Sequence, residues 1–139
     1  MIGRLGTVQK VADALEIDVP LDLRSLRAVR LVALDAASRA GFDVLAANGL
    51  QAGMDELCVA VVESATAVSG AGRLVVRLRF RAGEVSARGV ARLDHDHPAV
   101  VLGPLARSIL AASVDDFTLV DEQDLVCFEL SKRGDGELR

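Results

Sequence analysis

Few side chains in this chain of 139 residues could do chemistry, and they fall into a few short stretches. Glu63 stands in the run 55–66, DELCVAVVESAT. A carboxylate held rigidly beside a reacting hydroxyl can serve as a general base, whereas a lone Glu on an open helix face is only solvated. The tetrad Asp94-His95-Asp96-His97 combines imidazole and carboxylate, a set that suits zinc and related ions. Extended backbone would split it, with both His on one side and both Asp on the other. No further Cys or His is placed to complete four ligands, so an exposed polar loop is the expectation. A third group, Arg73, Arg77, Arg79, Arg81, Arg88 and Arg92, could form an anion-binding strip. Charges on alternate positions fit better with a wet sheet face balanced by nearby acids.

Two cysteines, Cys58 and Cys127, do not make a disulfide framework. Cys58 falls among apolar residues as a small core side chain, and Cys127 in a strand, with no CxxC or nearby His. Net charge is −4 and the chain has no Trp or Tyr and only 4 Phe, so it lacks the basic surface and stacking platforms of a nucleic-acid binder. Hydrophobic residues make up 51% of the chain, enough for a real core. No apolar run approaches the roughly 18 residues of a membrane span. The start, MIGRLGTVQK, has no continuous apolar core of a secretion signal, so a soluble cytoplasmic protein is expected.

The positioning elements follow from periodicity. Leu15, Ile17 and Val19 alternate with Glu16 and Asp18 in a half-buried strand closed by Pro20. Asp22 caps a helix over about 23–40 that stops at Gly41, with Leu23, Leu26, Ala33, Leu34 and Ala37 as core stripe. Val29, Val32 and Ala36 lie beside that stripe, and Leu31 is stranded among Arg24, Arg27 and Asp35. Residues 41–53, rich in Ala, Asn and Gly, read as a connection with a turn at Asn48-Gly49. Met54, Leu57, Cys58, Val61, Ala65 and Val68 then form the stripe of a second helix, with Glu56, Ala60, Glu63 and Ala67 opposite. A hairpin turns at Ala82-Gly83, a third helix starts near Leu105, and a last hairpin turns at residues 121–124. This order predicts an α+β two-layer sandwich, helices on one face of a mostly antiparallel sheet. One domain is expected over 13–132, after a weakly ordered lead-in (1–12) and before a charged tail (133–139).

The two helical segments, SLRAVRLVALDAASRAGF and DELCVAVVESAT, resemble those of the anti-sigma-factor serine kinases (RsbW-like) of the GHKL superfamily. The resemblance implies the Bergerat, or histidine-kinase-like ATPase, fold. It places Glu63 on the glutamate of the Glu-x-x-x-Asn box, which polarises the attacking group, and Ala67 where the box has its magnesium-binding Asn. It places Asp94 on the acid that accepts from the adenine amino group, with Asp96 and His97 in place of two glycines. Of the second glycine-rich segment only Gly103 remains, followed by Pro104. Arg30 falls on an arginine that in the family helps contact a sigma factor or its antagonist, with Arg27 and Leu31 as neighbours. The implied function is a regulatory protein that binds a sigma factor or a STAS-domain antagonist, with ATP-dependent kinase activity lost or weakened. The alternative is an active serine kinase using ATP and Mg2+, with Glu63 as base. Dimerisation through the sheet is also implied by the resemblance.

Overall fold

A computed structural model describes residues 13–66, 72–93 and 96–134 of the chain. Strand β1 (Ala14–Pro20) leads into a 3-10 turn, then helices α1 (Leu26–Arg39) and α2 (Val44–Thr66). The hairpin β2 (Arg73–Arg81) and β3 (Glu84–Arg92), helix α3 (Pro104–Ser113) and the hairpin β4 (Asp116–Glu122) and β5 (Leu125–Arg133) complete it. The five strands form one sheet in the order β1-β2-β3-β5-β4, and every pairing is antiparallel.

The strands obey a two-residue period. Leu74, Val76 and Leu78 of β2, Val85, Ala87 and Ala91 of β3, and Val126, Phe128 and Leu130 of β5 are buried beneath the helices. Helix α1 lies on β1, β2 and β3, α2 lies on β5, and α3 packs on α2. The α+β two-layer sandwich expected from the sequence is the observed architecture.

Asp22 does cap, but it caps the 3-10 turn Leu23–Ser25, with its Oδ1 accepting from the Arg24 amide at 2.8 Å. Leu23 is therefore not a core residue: it is 53% exposed, and Leu21 fills the core at 1%. The buried stripe of α1 is Leu26, Val29, Ala33, Ala36 and Ala37. Its end matches expectation, because Gly41 adopts φ +81° and the Phe42 and Gly41 amides donate to the Ala37 and Ser38 carbonyls. That double closure is a Schellman motif.

Residues 41–53 are not a connection. Helix α2 starts at Val44 and runs 23 residues, with the Asp43 carboxylate accepting from the Ala46 amide at 2.8 Å. Asn48-Gly49 sits inside this helix rather than in a turn. Its glycines serve close packing. A Cβ on Gly49 would lie 2.9 Å from the Ser113 carbonyl oxygen, and one on Gly53 would lie 2.6 Å from Val114 Cγ1.

Both hairpins turn where expected, with Gly83 at φ +83° and Gln123 at φ +64°. Strand β5 continues to Arg133, and the Gly134 amide donates to the Gly83 carbonyl at 2.9 Å. The lead-in 1–12, residues 67–71 with Ala67 and Val68, Asp94, His95 and the tail from 135 lie outside the described residues.

Candidate functional site

The described site residues expected from the sequence fall in two places: the outer side of α1, and the end of the sheet beside the second half of α2. On α1, Arg30 turns toward α2, and its Nε donates to both Asp55 oxygens, at 2.9 and 3.0 Å. The pair bridges the two helices, with side chains 41% and 29% exposed. Among the described residues only Nε is used, so toward them the two terminal nitrogens of the guanidinium keep their donors. Arg27 is exposed and Leu31 is 63% exposed, four residues apart on one side of α1, and Leu23 is exposed in the 3-10 turn just before the helix. The structure thus brings Arg27 and Leu31 together at the surface and ties Arg30 into the helix pair beside them.

Glu63 is exposed near the C-terminal end of α2, and Asp94 lies outside the described residues. The next residue after Glu63 matters more to the local structure. Ser64 is the one polar residue buried as a whole among the described residues, 6% exposed. Its Oγ donates to the Pro98 carbonyl and lies 3.0 Å from His97 Nδ1. His97 Nδ1 is 2.6 Å from the Pro98 oxygen, and its Nε2 contacts the Gln123 carbonyl in the β4–β5 turn. Asp121 Oδ1 stands 3.7 Å from Nε2, while Oδ2 accepts from the Val100 amide at 2.9 Å. Acceptors on both sides of the ring fix its orientation, and its side chain is 3% exposed.

His97 is therefore a latch between α2 and the last hairpin. Behind it, Val100 and Leu102 are buried at 9% and 6%, so residues 96–102 fold down onto the core. Of the tetrad, the described residues Asp96-His97 form a turn, with His97 directed inward. No group of three or more potential ligands is assembled among the described residues. Gly103 has φ −69° and caps α3, whose first residue is Pro104, a position where a missing N–H costs nothing. This serine–histidine link was missed in the sequence, although Ser64 sits on the apolar side of the helix beside Val61 and Ala65. A polar residue on that side needs a partner when buried.

Cys58 is buried on α2, where desolvation and then the Asp55 carboxylate push its thiol up to about 12, against Arg30. Arg24 holds the Asp22 carboxyl below its ordinary value by hydrogen bonding. Four of the six arginines in the strip are balanced by acids, Arg73 by Asp18, Arg77 by Glu16, Arg81 by Glu84 and Arg88 by Glu129, while Arg79 and Arg92 form no ion pair with a described residue.

No family model and no curated protein matches the chain. A solved structure does: the crystal structure of the RsbU and RsbW domains of Rv1364c from Mycobacterium tuberculosis, with a TM-score of 0.67 at 19% identity. The chain has the RsbW-like fold. The match covers 86% of this chain and 32% of that one, so the chain spans about a third of the length of that protein. No helix among the described residues is long and apolar enough to cross a membrane.

Proposed function

We propose that this RsbW-like chain is a regulatory binding protein of the anti-sigma type, which engages a sigma factor or a STAS-domain antagonist without phosphoryl transfer. The observation that carries the reading is the α1 surface. Arg27 and Leu31 project outward from α1 one turn apart, and Leu23 is exposed in the 3-10 turn before it; both leucines are more than half exposed. Apolar anchors beside a guanidinium are the composition of a protein contact. The terminal nitrogens of Arg30 extend the same patch.

Support against turnover comes from the other end of the molecule. Asp96 and His97, which the resemblance places in the adenine motif, open a segment anchored on the core by the His97 side chain, Val100 and Leu102. Ala67 offers no oxygen to a hard cation, and phosphoryl transfer depends on the metal for charge neutralisation.

The test is affinity capture from the host with tagged protein, with and without Mg-ATP, followed by calorimetry on the recovered partner. A sigma factor or STAS protein retained regardless of nucleotide is the expected outcome. Leu31→Glu should weaken its binding by tenfold or more, since a charge would replace a buried anchor. A partner released in phosphorylated form on ATP addition, and retained with Glu63→Ala, would replace this reading with the kinase.

A further inference from the structure

Strand β4 is the free edge of the sheet at the end away from α1, since α1 lies on β1, β2 and β3 and the strand order closes with β5-β4. In an antiparallel pair, alternate residues turn their amides and carbonyls away from the partner strand. Glu122 and Leu125 flank the two-residue turn at 123–124 as a bonded pair, so the outward residues of β4 are Phe117, Leu119 and Asp121. Among the described residues, no hydrogen bond reaches their backbone groups from outside the β4–β5 pair. The edge is little protected. It has no Pro and no Lys, and its centre, Phe117-Thr118-Leu119-Val120, is uncharged.

A groove of about 340 Å³ lies beside this edge, lined by Phe117 and Leu119, by Val100, Val101 and Leu102, and by Arg107 of α3. Val101 is 70% exposed there, and the nearby first turn of α3 exposes Leu105 at 74%. On its open side β4 presents Asp116 and Glu122, neither in an ion pair with a described residue. We propose that β4 takes up an extended peptide of another protein as an added strand, one that alternates apolar residues with Lys or Arg. The outward row of donors and acceptors recurs every second residue, which an extended chain matches and a helix does not. The side chains of such a chain alternate in the same way. Those on the helix side enter the groove beside Val101, Phe117 and Leu119. Those on the open side stand next to Asp116 and Glu122, where a cation is favoured and an acid repelled. A second copy of this chain fits badly. Strand β4 laid antiparallel on another β4 about Leu119 sets Asp116 against Glu122 twice.

The groove is at the far end of the sheet from α1, so this site stands whether or not α1 engages a sigma factor or a STAS protein. The experiment selects binders to the full chain from a random library of about 12-residue peptides displayed on phage, then measures synthetic copies by fluorescence anisotropy. Enriched sequences should alternate apolar and basic residues. Asp116→Lys and Glu122→Lys should each weaken a selected peptide by about fivefold, and Val101→Glu by about tenfold. N-methylation at every second peptide amide should abolish binding, and methylation of the amides between them should leave it within about twofold, because only one set faces β4. Hydrogen exchange at the Phe117 and Leu119 amides should slow in the complex. Leu31→Glu on α1 should bind the peptide like wild type. All three groove substitutions are at exposed positions, and circular dichroism confirms their folding. A library without binders, acidic rather than basic enrichment, binders indifferent to Asp116→Lys and Val101→Glu, or a methylation series without alternation would each overturn the proposal. Loss of binding in Leu31→Glu alone would place the peptide on α1 and overturn it as well.

Discussion

Cys58 shows how one buried atom ties the residue scale to a measurable property. The sequence places it on an apolar stripe, and the structure finds it 1% exposed, with its thiol raised from 9.0 to about 12. Between those values the unfolded chain has lost the proton that the folded chain still holds. Rising pH therefore favours unfolding, and stability that is constant below pH 9 should fall above it, by up to about 1.4 kcal/mol per unit. Denaturant titrations from pH 8 to 11 on wild type and Cys58→Ala check this, because only wild type should carry that extra slope. A thiol reagent at pH 8 should modify the partly exposed Cys127 in the native protein and reach Cys58 only on unfolding. At this scale the sequence was informative where a residue's surroundings are its own helix or strand, as for Cys58 or Leu31. It was silent on Ser64 and His97, whose partners come from elements 33 and 26 residues away.

Elements were legible wherever hydrophobic period and caps agreed, as at the Gly41 end of α1 and in both hairpins. The start of α2 was misread because Asn-Gly carries a strong local turn preference, and tertiary packing overrode it. Gly49 and Gly53 lose helix propensity of roughly 1 kcal/mol each, yet they let α2 approach the end of α3 where any Cβ would collide. A third glycine has the same role in the sheet. Gly89 pairs directly with Phe128, whose ring would lie 2.2 Å from an added Cβ. Phe128 is 1% exposed in the middle of the core and has little space to retreat. Gly89→Ala should therefore destabilise the protein by about 1–3 kcal/mol despite better strand propensity, as expected for overpacking. Urea unfolding measures it, and the double variant Gly89→Ala with Phe128→Leu should recover part of the loss.

For the whole molecule, the sequence located the scaffold but not how the segment after β3 closes on it. That depended on a long-range fact, the closure of residues 96–102 by His97 against Ser64 and the β4–β5 turn. The consequence is a thermal-shift experiment. Ligand that binds only the native state stabilises by RT ln(1 + [L]/Kd), or about 2.7 kcal/mol at one hundred times Kd. For a domain of this size, each kcal/mol moves the melting temperature by about 3–4 °C. A working site with Kd near 10 μM would thus raise the midpoint by about 10 °C in 1 mM Mg-ATP. On the binding-protein reading the shift should stay below about 1 °C. It should stay there in His97→Ala as well, although that variant should lose about 1–3 kcal/mol of stability by leaving Ser64 and the Gln123 carbonyl poorly satisfied. On that reading, opening the latch frees space without supplying a metal ligand at Ala67, whose methyl side chain has no oxygen. A large shift in His97→Ala alone would mean that the latch, and not the missing ligand, is what keeps nucleotide out.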